Sequence, residues 1–271
     1  VERVDLAAVL DPVTGDGTNY LLVGSDARDE LDPEGDSGVT GRRSDTLIVL
    51  RTTSTGSTMM SIPRDLWVEL ADTGEMGRIN GAYNRGPANL VATVKANLGI
   101  PIHHYVEVGF GSFAGLVDAI GGVTIDFPHP ASDPKSGLFV DRSGPVTLDG
   151  RQALAYARSR TYTELIDGRE VTDPTADLGR QERQQTFLRT ALAEVGSTRN
   201  PLTLVRVADA MSSELIVDSG LGFWEALSLV RSLGGSAPET VLLPTEGAWR
   251  GAAAVLVLVE PDAAAVLAGF R

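Results

Sequence analysis

Carboxylates and arginines recur at the ends of apolar runs in this chain. Asp26 directly follows TNYLLVGS (18–25), Arg42, Arg43 and Asp45 frame the start of SDTLIVLRT (44–52), and Arg64 and Asp65 follow STMMSIP (57–63). Further along, ALAYARSR (153–160) ends in Arg158 and Arg160. DLGRQERQQTF (177–187) then carries Arg180, Arg183, Gln184 and Phe187 at i, i+3, i+4 and i+7, which is one helical face. Carboxylates are hard oxygen ligands for a divalent cation. Arginine grips phosphate through two parallel hydrogen bonds. Each item alone reads as a surface ion pair, and Arg–Asp pairing within the set could satisfy it internally. Together they suggest a site for a multiply charged phosphate, with a divalent metal held by carboxylates.

The spacing of Arg158 and Arg160 raises a geometric question. On a helix the two would point about 200° apart, whereas on an extended chain positions i and i+2 share a face. Their guanidinium groups would then start about 7 Å apart, given a rise of ~3.3 Å per residue. At an effective dielectric of ~20 that pair repels by roughly 2–3 kcal/mol, less when exposed to water. Either the pair is simply exposed, or an anion belongs between its members. Arginines in the first turns of the helix at 177 also oppose the positive end of its dipole, unless an anion is bound there.

These residues need a scaffold. The runs at 18–25, 44–52 and 57–63 read as strands, the last two joined by TSTG in a hairpin. DLWVEL (65–70) and HYVEVGF (104–110) read as further strands. Leu90, Val91, Val94 and Leu98 have helical spacing, with Gly99 and Pro101 to stop the helix. SFAGLVDAIGG (112–122) reads as helix and GVTIDF (122–127) as strand. Residues 26–43, 128–137 and 159–176 are polar and read as loops. Asp149 can cap a short helix through Ala157, and Asp177 opens a helix to Val195. The remainder alternates helix (202–211, 221–234) with strand (214–218, 240–243, 253–259), and a short helix follows Pro261. Interleaved strands and helices without internal repeats imply an α/β/α sandwich around a central mixed sheet, as one domain over 1–271.

The 271 residues can bury a sizeable core. A net charge of −13 argues against a nucleic-acid partner, which usually meets a basic surface. Only Lys95 and Lys135 are lysines, so almost every cation is an arginine, a bias that a high-GC genome would also produce. The absence of cysteine excludes thiolate metal sites, disulfides and cysteine nucleophiles. No apolar run approaches the ~20 residues of a membrane span. The first residue is valine, not methionine, which is consistent with a membrane anchor lying outside this chain.

Several alternatives compete poorly. Gly109-x-Gly111-x-x-Ala114 between a strand and a helix, with Asp126 beyond, resembles a dinucleotide fingerprint. Phe110 and Phe113 crowd the turn where a pyrophosphate would need close backbone approach, so an ordinary strand-to-helix turn is favoured. Neither a phosphate loop with Gly-Lys-Ser/Thr nor a Gly-x-Ser-x-Gly elbow is present. His103, His104 and His129 lack metal-ligand spacing and read as structural.

The order NYLLVGSDAR, RRSDTLIVL, SIPRD, RINGAYN, FAGLVDAIGGV, LDGRQALAYARSR and DLGRQERQ resembles the LytR-CpsA-Psr family. The matching motifs run from about residue 19 to 195. The resemblance implies a bacterial, membrane-anchored domain facing outside the cytoplasm. It implies transfer of a glycopolymer from a polyprenyl-pyrophosphate carrier onto a peptidoglycan sugar hydroxyl, with Mg²⁺ or Mn²⁺. It assigns Asp26 and Asp45 to the metal and to catalysis. Arg43, Arg64, Arg158, Arg160 and Arg180 match the family's phosphate-binding arginines and Gln184 a polar residue of the same site, with Arg28 and Arg183 as weaker candidates. Gly81 in RINGAYN stands where a larger polar residue, often histidine, is expected. The lipid would need an apolar channel, for which Val91, Val94, Leu98, Phe110, Phe113 and Leu116 are candidates equally readable as core. A pyrophosphate hydrolase and a non-catalytic polyprenyl-phosphate binder remain alternatives. The glycopolymer, teichoic acid, capsule or galactan, is not readable from these residues, though the arginine and alanine bias hints at actinobacterial arabinogalactan ligation.

Overall fold

The structure is a computed structural model describing residues 1–26, 43–175, 177–197, 203, 210, 215–222, 225–226 and 238–271. The chain forms two compact units, one made of 1–109, 214–232 and 238–271, the other of 110–213 and 233–237.

The first unit holds β1 (Glu2–Val4), β2 (Thr18–Asp26), β3 (Arg43–Thr52), β4 (Ser57–Ile62), β5 (Trp67–Glu69), β6 (Met76–Arg78), α1 (Asn80–Tyr83), α2 (Pro87–Leu98) and β7 (His104–Gly109). The second holds α3 (Phe110–Ile120), β8 (Val123–Phe127), β9 (Ala131–Asp133), β10 (Leu138–Val140), β11 (Gly144–Leu148), α4 (Gly150–Arg158), β12 (Thr163–Ile166), β13 (Arg169–Thr172) and α5 (Asp177–Ser197). The chain then returns to the first unit with β14 (Leu215–Asp218), β15 (Glu239–Leu242), β16 (Thr245–Arg250), β17 (Ala253–Leu258) and α6 (Asp262–Ala268).

The central sheet is mixed and seven-stranded, in the order β1-β14-β7-β2-β3-β4-β15. Its interior strands are apolar on both faces, as burial from both sides requires. Leu21, Val23, Leu47, Val49, Met60, Ile62 and Tyr105 form one core with Leu90, Val91, Val94 and Leu98 of α2 and Leu267 of α6. The alternate residues Tyr20, Ile48, Leu50 and Met59 are buried as well. Each aliphatic side chain so buried contributes roughly 1.5–3 kcal/mol. α2 begins with Pro87 at its first turn and ends at Gly99, whose φ of 62° is the left-handed cap that glycine adopts without strain.

The second unit has its own core, in which Val117, Ile125, Phe127, Leu138, Val140, Tyr156 and Phe187 meet. A four-stranded sheet, β10-β9-β12-β13, lies in this unit. It corrects the expectation of a featureless stretch at 159–176. The signal was legible: Asp167 and Gly168, with φ of 49° and 75°, are the two central residues of a tight hairpin turn, the Asp-Gly pair that such turns favour. β9 likewise lies within the expected loop at 128–137, and β16 pairs with β17 where only one strand was expected. α4 runs one residue beyond the expected Ala157, to Arg158. The helices expected at 202–211 and 221–234 lie almost wholly outside the described residues. No helix among the described residues is long and apolar enough to cross a membrane.

Candidate functional site

One end of the central sheet gathers the acids and arginines of the first unit. β2 and β3 pair antiparallel from Thr18↔Thr52 to Gly24↔Thr46; the register then shifts, giving Ser25↔Ser44 and Asp26↔Arg43. Asp45 is therefore the extra residue of a β-bulge, a device that re-aims a side chain and often sits beside functional sites. β4 runs antiparallel to β3 with Leu47↔Ile62, so Arg64 emerges just beyond this same end. β7 ends there too, with Ser25↔Gly109. The backbone thus brings Asp26, Arg43, Asp45 and Arg64 to one end. The side chains of Asp26, Arg43 and Asp45, and all of Arg28 and Arg42, lie outside the described residues.

Arg64 is held in place by its neighbours. Its Nε lies 3.5 Å from Asp65 Oδ2, and Asp65 Oδ1 lies 3.2 Å from Arg78 Nε. Arg78 Nη2 in turn donates to the Ala254 carbonyl at 2.9 Å. Asn80 N donates to the Arg64 carbonyl and Leu256 N to the Asp65 carbonyl. These part-exposed ion pairs contribute little to stability; their effect is to orient the SIPRD turn against RIN. Gly81 of RINGAYN sits in α1, and a Cβ there would meet nothing within 4 Å, so the missing larger side chain leaves open space. Tyr83 of the same motif donates to Glu107 Oε1 at 2.5 Å, and Tyr105 donates to Glu107 Oε2 at 2.7 Å. Glu107, only 1% exposed, is thereby satisfied inside the core.

The second unit contains the other arginine group. Asp149 caps α4 by accepting from Gln152 N at 2.8 Å, as expected. After Arg158 the backbone turns extended, with Ser159 at φ −58° and ψ 123°. Ser159 is fully buried, while Arg158 and Arg160 on either side are exposed. Arg158 is the last residue of α4 and Arg160 follows the non-helical Ser159, so the two exposed arginines stand on either side of the point where the helix ends.

What holds Ser159 inward is Asp133, a residue the sequence reading did not single out. Its Oδ2 accepts from Ser159 Oγ (2.6 Å), Arg160 N (3.0 Å) and Thr161 N (2.9 Å). Its Oδ1 accepts from Thr161 Oγ1 (2.7 Å), Lys135 N (3.0 Å) and Ser136 N (3.4 Å). Burial works to raise the Asp133 carboxyl, but the hydrogen bonds led by Ser159 and Thr161 outweigh it and hold the group down at about 2. No spacing rule links residues 133 and 159–161; the one sequence signal was an acid in a turn-rich stretch.

From the other side, α5 grips the same segment. Arg183 Nη2 donates to the Ser159 carbonyl at 2.9 Å and Nη1 to Asp173 Oδ2 at 2.8 Å, with its guanidinium carbon 4.6 Å from the Tyr162 ring centroid. Gln184 Nε2 donates to the Ala157 carbonyl at 3.2 Å. Arg180, Arg183, Gln184 and Phe187 are all buried, so the predicted face exists and points inward. Arg183 is accordingly a brace for the 159–162 segment, with Nη2 committed to Ser159 and Nη1 to Asp173. Arg180 lies one turn before Gln184 on that face and is 3% exposed.

The remaining candidates fall as follows. Val91, Val94 and Leu98 pack in the core of the first unit, and Leu116 is buried in the second. The side chains of Phe110 and Phe113 lie outside the described residues. α3 starts at Phe110 directly after β7, so Gly109 and Gly111 frame no phosphate-cradling loop. His103 Nδ1 accepts from Asn19 N at 2.8 Å, and His104 Nδ1 pairs with Asp218 Oδ2 at 3.1 Å, both structural roles. Among the described residues no group of three or more His, Asp or Glu side chains could hold a metal.

Comparison with known proteins gives this arrangement a context. The model of the LytR_cpsA_psr family matches residues 2–269. The chain is 36% identical over 256 residues to the probable cell wall biosynthesis protein LcpB of Corynebacterium glutamicum, covering 89% of this chain and 58% of that protein. It is 33% identical over 212 residues to the polyisoprenyl-teichoic acid–peptidoglycan teichoic acid transferase TagU of Oceanobacillus iheyensis, covering 75% of this chain and 59% of that protein. The chain thus spans somewhat over half the length of these relatives. Among solved structures, the LytR-Csp2A-Psr enzyme from Actinomyces oris superposes with a TM-score of 0.78 at 28% identity, covering 99% of this chain and 95% of that one. A match along nearly the whole chain, with the motif residues set at one sheet end and around Ser159, leads to one conclusion: this chain belongs to the LytR_cpsA_psr family.

Proposed function

We propose that this chain is a single catalytic domain that moves a glycopolymer from a polyprenyl-pyrophosphate carrier onto a peptidoglycan sugar hydroxyl. The observation that carries this reading is the outward pair Arg158 and Arg160, flanking a Ser159 clamped from both sides. A rigid mount for two exposed cations suits anion recognition. The activity of the TagU relative, transfer of teichoic acid to peptidoglycan, supplies the substrate class. The corynebacterial relative is a probable cell wall biosynthesis protein, and arabinogalactan as the polymer rests on the arginine and alanine bias of this sequence.

In the proposed reaction the acceptor hydroxyl oxygen attacks the phosphorus that carries the glycan. The bond from that phosphorus to the bridging oxygen breaks, and polyprenyl monophosphate leaves. The hydroxyl proton passes to a carboxylate, either Asp26 or Asp45. Arg43, Arg64, Arg158, Arg160 and Arg180 neutralise charge on the phosphates and Gln184 keeps the 157–160 segment in place, so positioning and electrostatics supply the rate. The donor set at the sheet end suits Mg²⁺ or Mn²⁺: two carboxylate residues on adjacent strands, one of them in a bulge. When bound there, such an ion would neutralise phosphate charge. A long isoprenoid would reach Val91, Val94, Leu98 and Leu116 only if their packing opened, and Phe110 and Phe113 are the further candidates for its path. The full protein would act outside the cytoplasm, tethered by an anchor beyond this chain.

Product analysis tests the reading. The protein, a polyprenyl-pyrophosphate-linked glycan and peptidoglycan fragments should yield polyprenyl monophosphate and a glycan–peptidoglycan phosphodiester. Polyprenyl monophosphate with free glycan phosphate, regardless of acceptor, would make the protein a hydrolase. Retained donor without turnover would make it a binder.

A further inference from the structure

Asp133 is 0% exposed and sits at the end of β9, 26 residues before Ser159 in sequence. Its two oxygens receive the backbone N–H groups of Lys135, Ser136, Arg160 and Thr161 and the hydroxyls of Ser159 and Thr161. With both oxygens so engaged, the carboxylate is not available as a base or a metal ligand. Only an ionised carboxylate matches this set, because backbone N–H groups cannot become acceptors for the amide nitrogen of an asparagine. These contacts hold the chain where α4 ends after Arg158, and they fix the buried Ser159 and the Arg160 backbone between the two exposed arginines.

We propose that Asp133 is the positioning residue for the Arg158–Arg160 pair: its buried carboxylate pulls Ser159 into the protein and so presents both arginines to one anion. The inference rests on the reading that this pair binds the pyrophosphate of a prenyl carrier. Acting through the arginines, Asp133 never touches substrate.

The test is a double-mutant cycle read by calorimetric binding of octaprenyl pyrophosphate to the full chain. Asp133→Ala should weaken binding tenfold or more and speed amide hydrogen exchange at Arg160 and Thr161. In a background of Arg158→Ala and Arg160→Ala, the same substitution should cost almost nothing further. If Asp133→Ala does not fold, Ser159→Ala combined with Thr161→Val removes the two hydroxyl donors and should weaken binding severalfold. Unchanged affinity in a folded variant, or an equal loss in the arginine-free background, would overturn the proposal and leave Asp133 a structural clamp. Absence of binding by the unmodified protein would refute the pyrophosphate reading itself, and the inference would fall with it.

Discussion

Replacing Arg183 by alanine separates a brace from a substrate ligand. The side chain is 7% exposed and makes two charge-assisted hydrogen bonds, to the Ser159 carbonyl and to Asp173, and it stacks on Tyr162. A hydrogen bond to a charged group is worth about 1.5–3 kcal/mol net, and a partly desolvated cation–π contact about 1–2 kcal/mol. These terms share one side chain and do not add fully, so the expected loss is about 3 kcal/mol. In urea, with a slope of about 2–3 kcal/mol per molar, the midpoint should fall by about 1–1.5 M. Arg183→Met keeps the aliphatic stem over the ring and should recover part of the packing but none of the hydrogen bonds. A loss below about 1 kcal/mol for Arg183→Ala would refute the brace and return Arg183 to the pool of phosphate ligands.

Two further outcomes follow from the same unit. The depressed Asp133 carboxyl contributes stability that is complete above its unfolded value near 4 and is lost as pH falls toward 2, by about 2 kcal/mol in all. Asp133→Asn should flatten that acid limb in urea titrations between pH 5 and 2, and an unchanged limb would contradict the clamp. At Gly150, a Cβ would lie 2.1 Å from the Ala114 carbonyl oxygen, so α4 would have to move off α3. Gly150→Ala should cost about 1–3 kcal/mol or more and lower the thermal midpoint, whereas a neutral effect would mean that α4 does not pack there.

Much of the scaffold was written in local patterns. The strands at 18–26, 43–52 and 57–62 announced themselves by apolar runs and a short turn, and α2 by its spacing and its terminal glycine. The cap of α4 and the helical face of Arg180, Gln184 and Phe187 were equally local. What escaped was set by distant contacts. The bulge at Asp45 depends on how β3 pairs with β2 and cannot be read from β3 alone. Asp133 acquires its role only because the turn after β9 folds onto residues 159–161. The hairpin at 163–172 was legible in its Asp-Gly turn but masked by polar strands, which alternate little because burial there is slight.

The central claim is that Arg158, at the end of α4 beside the clamped Ser159, stabilises the phosphate leaving from a prenyl carrier. The direct measurement is the rate of glycan transfer from a defined polyprenyl-pyrophosphate donor to peptidoglycan fragments, in the unmodified protein and in Arg158→Ala. With urea stability unchanged, the account predicts a fall in kcat on the order of 10²–10³, as for removal of one donor to developing negative charge. An unchanged rate in a folded Arg158→Ala protein would contradict it.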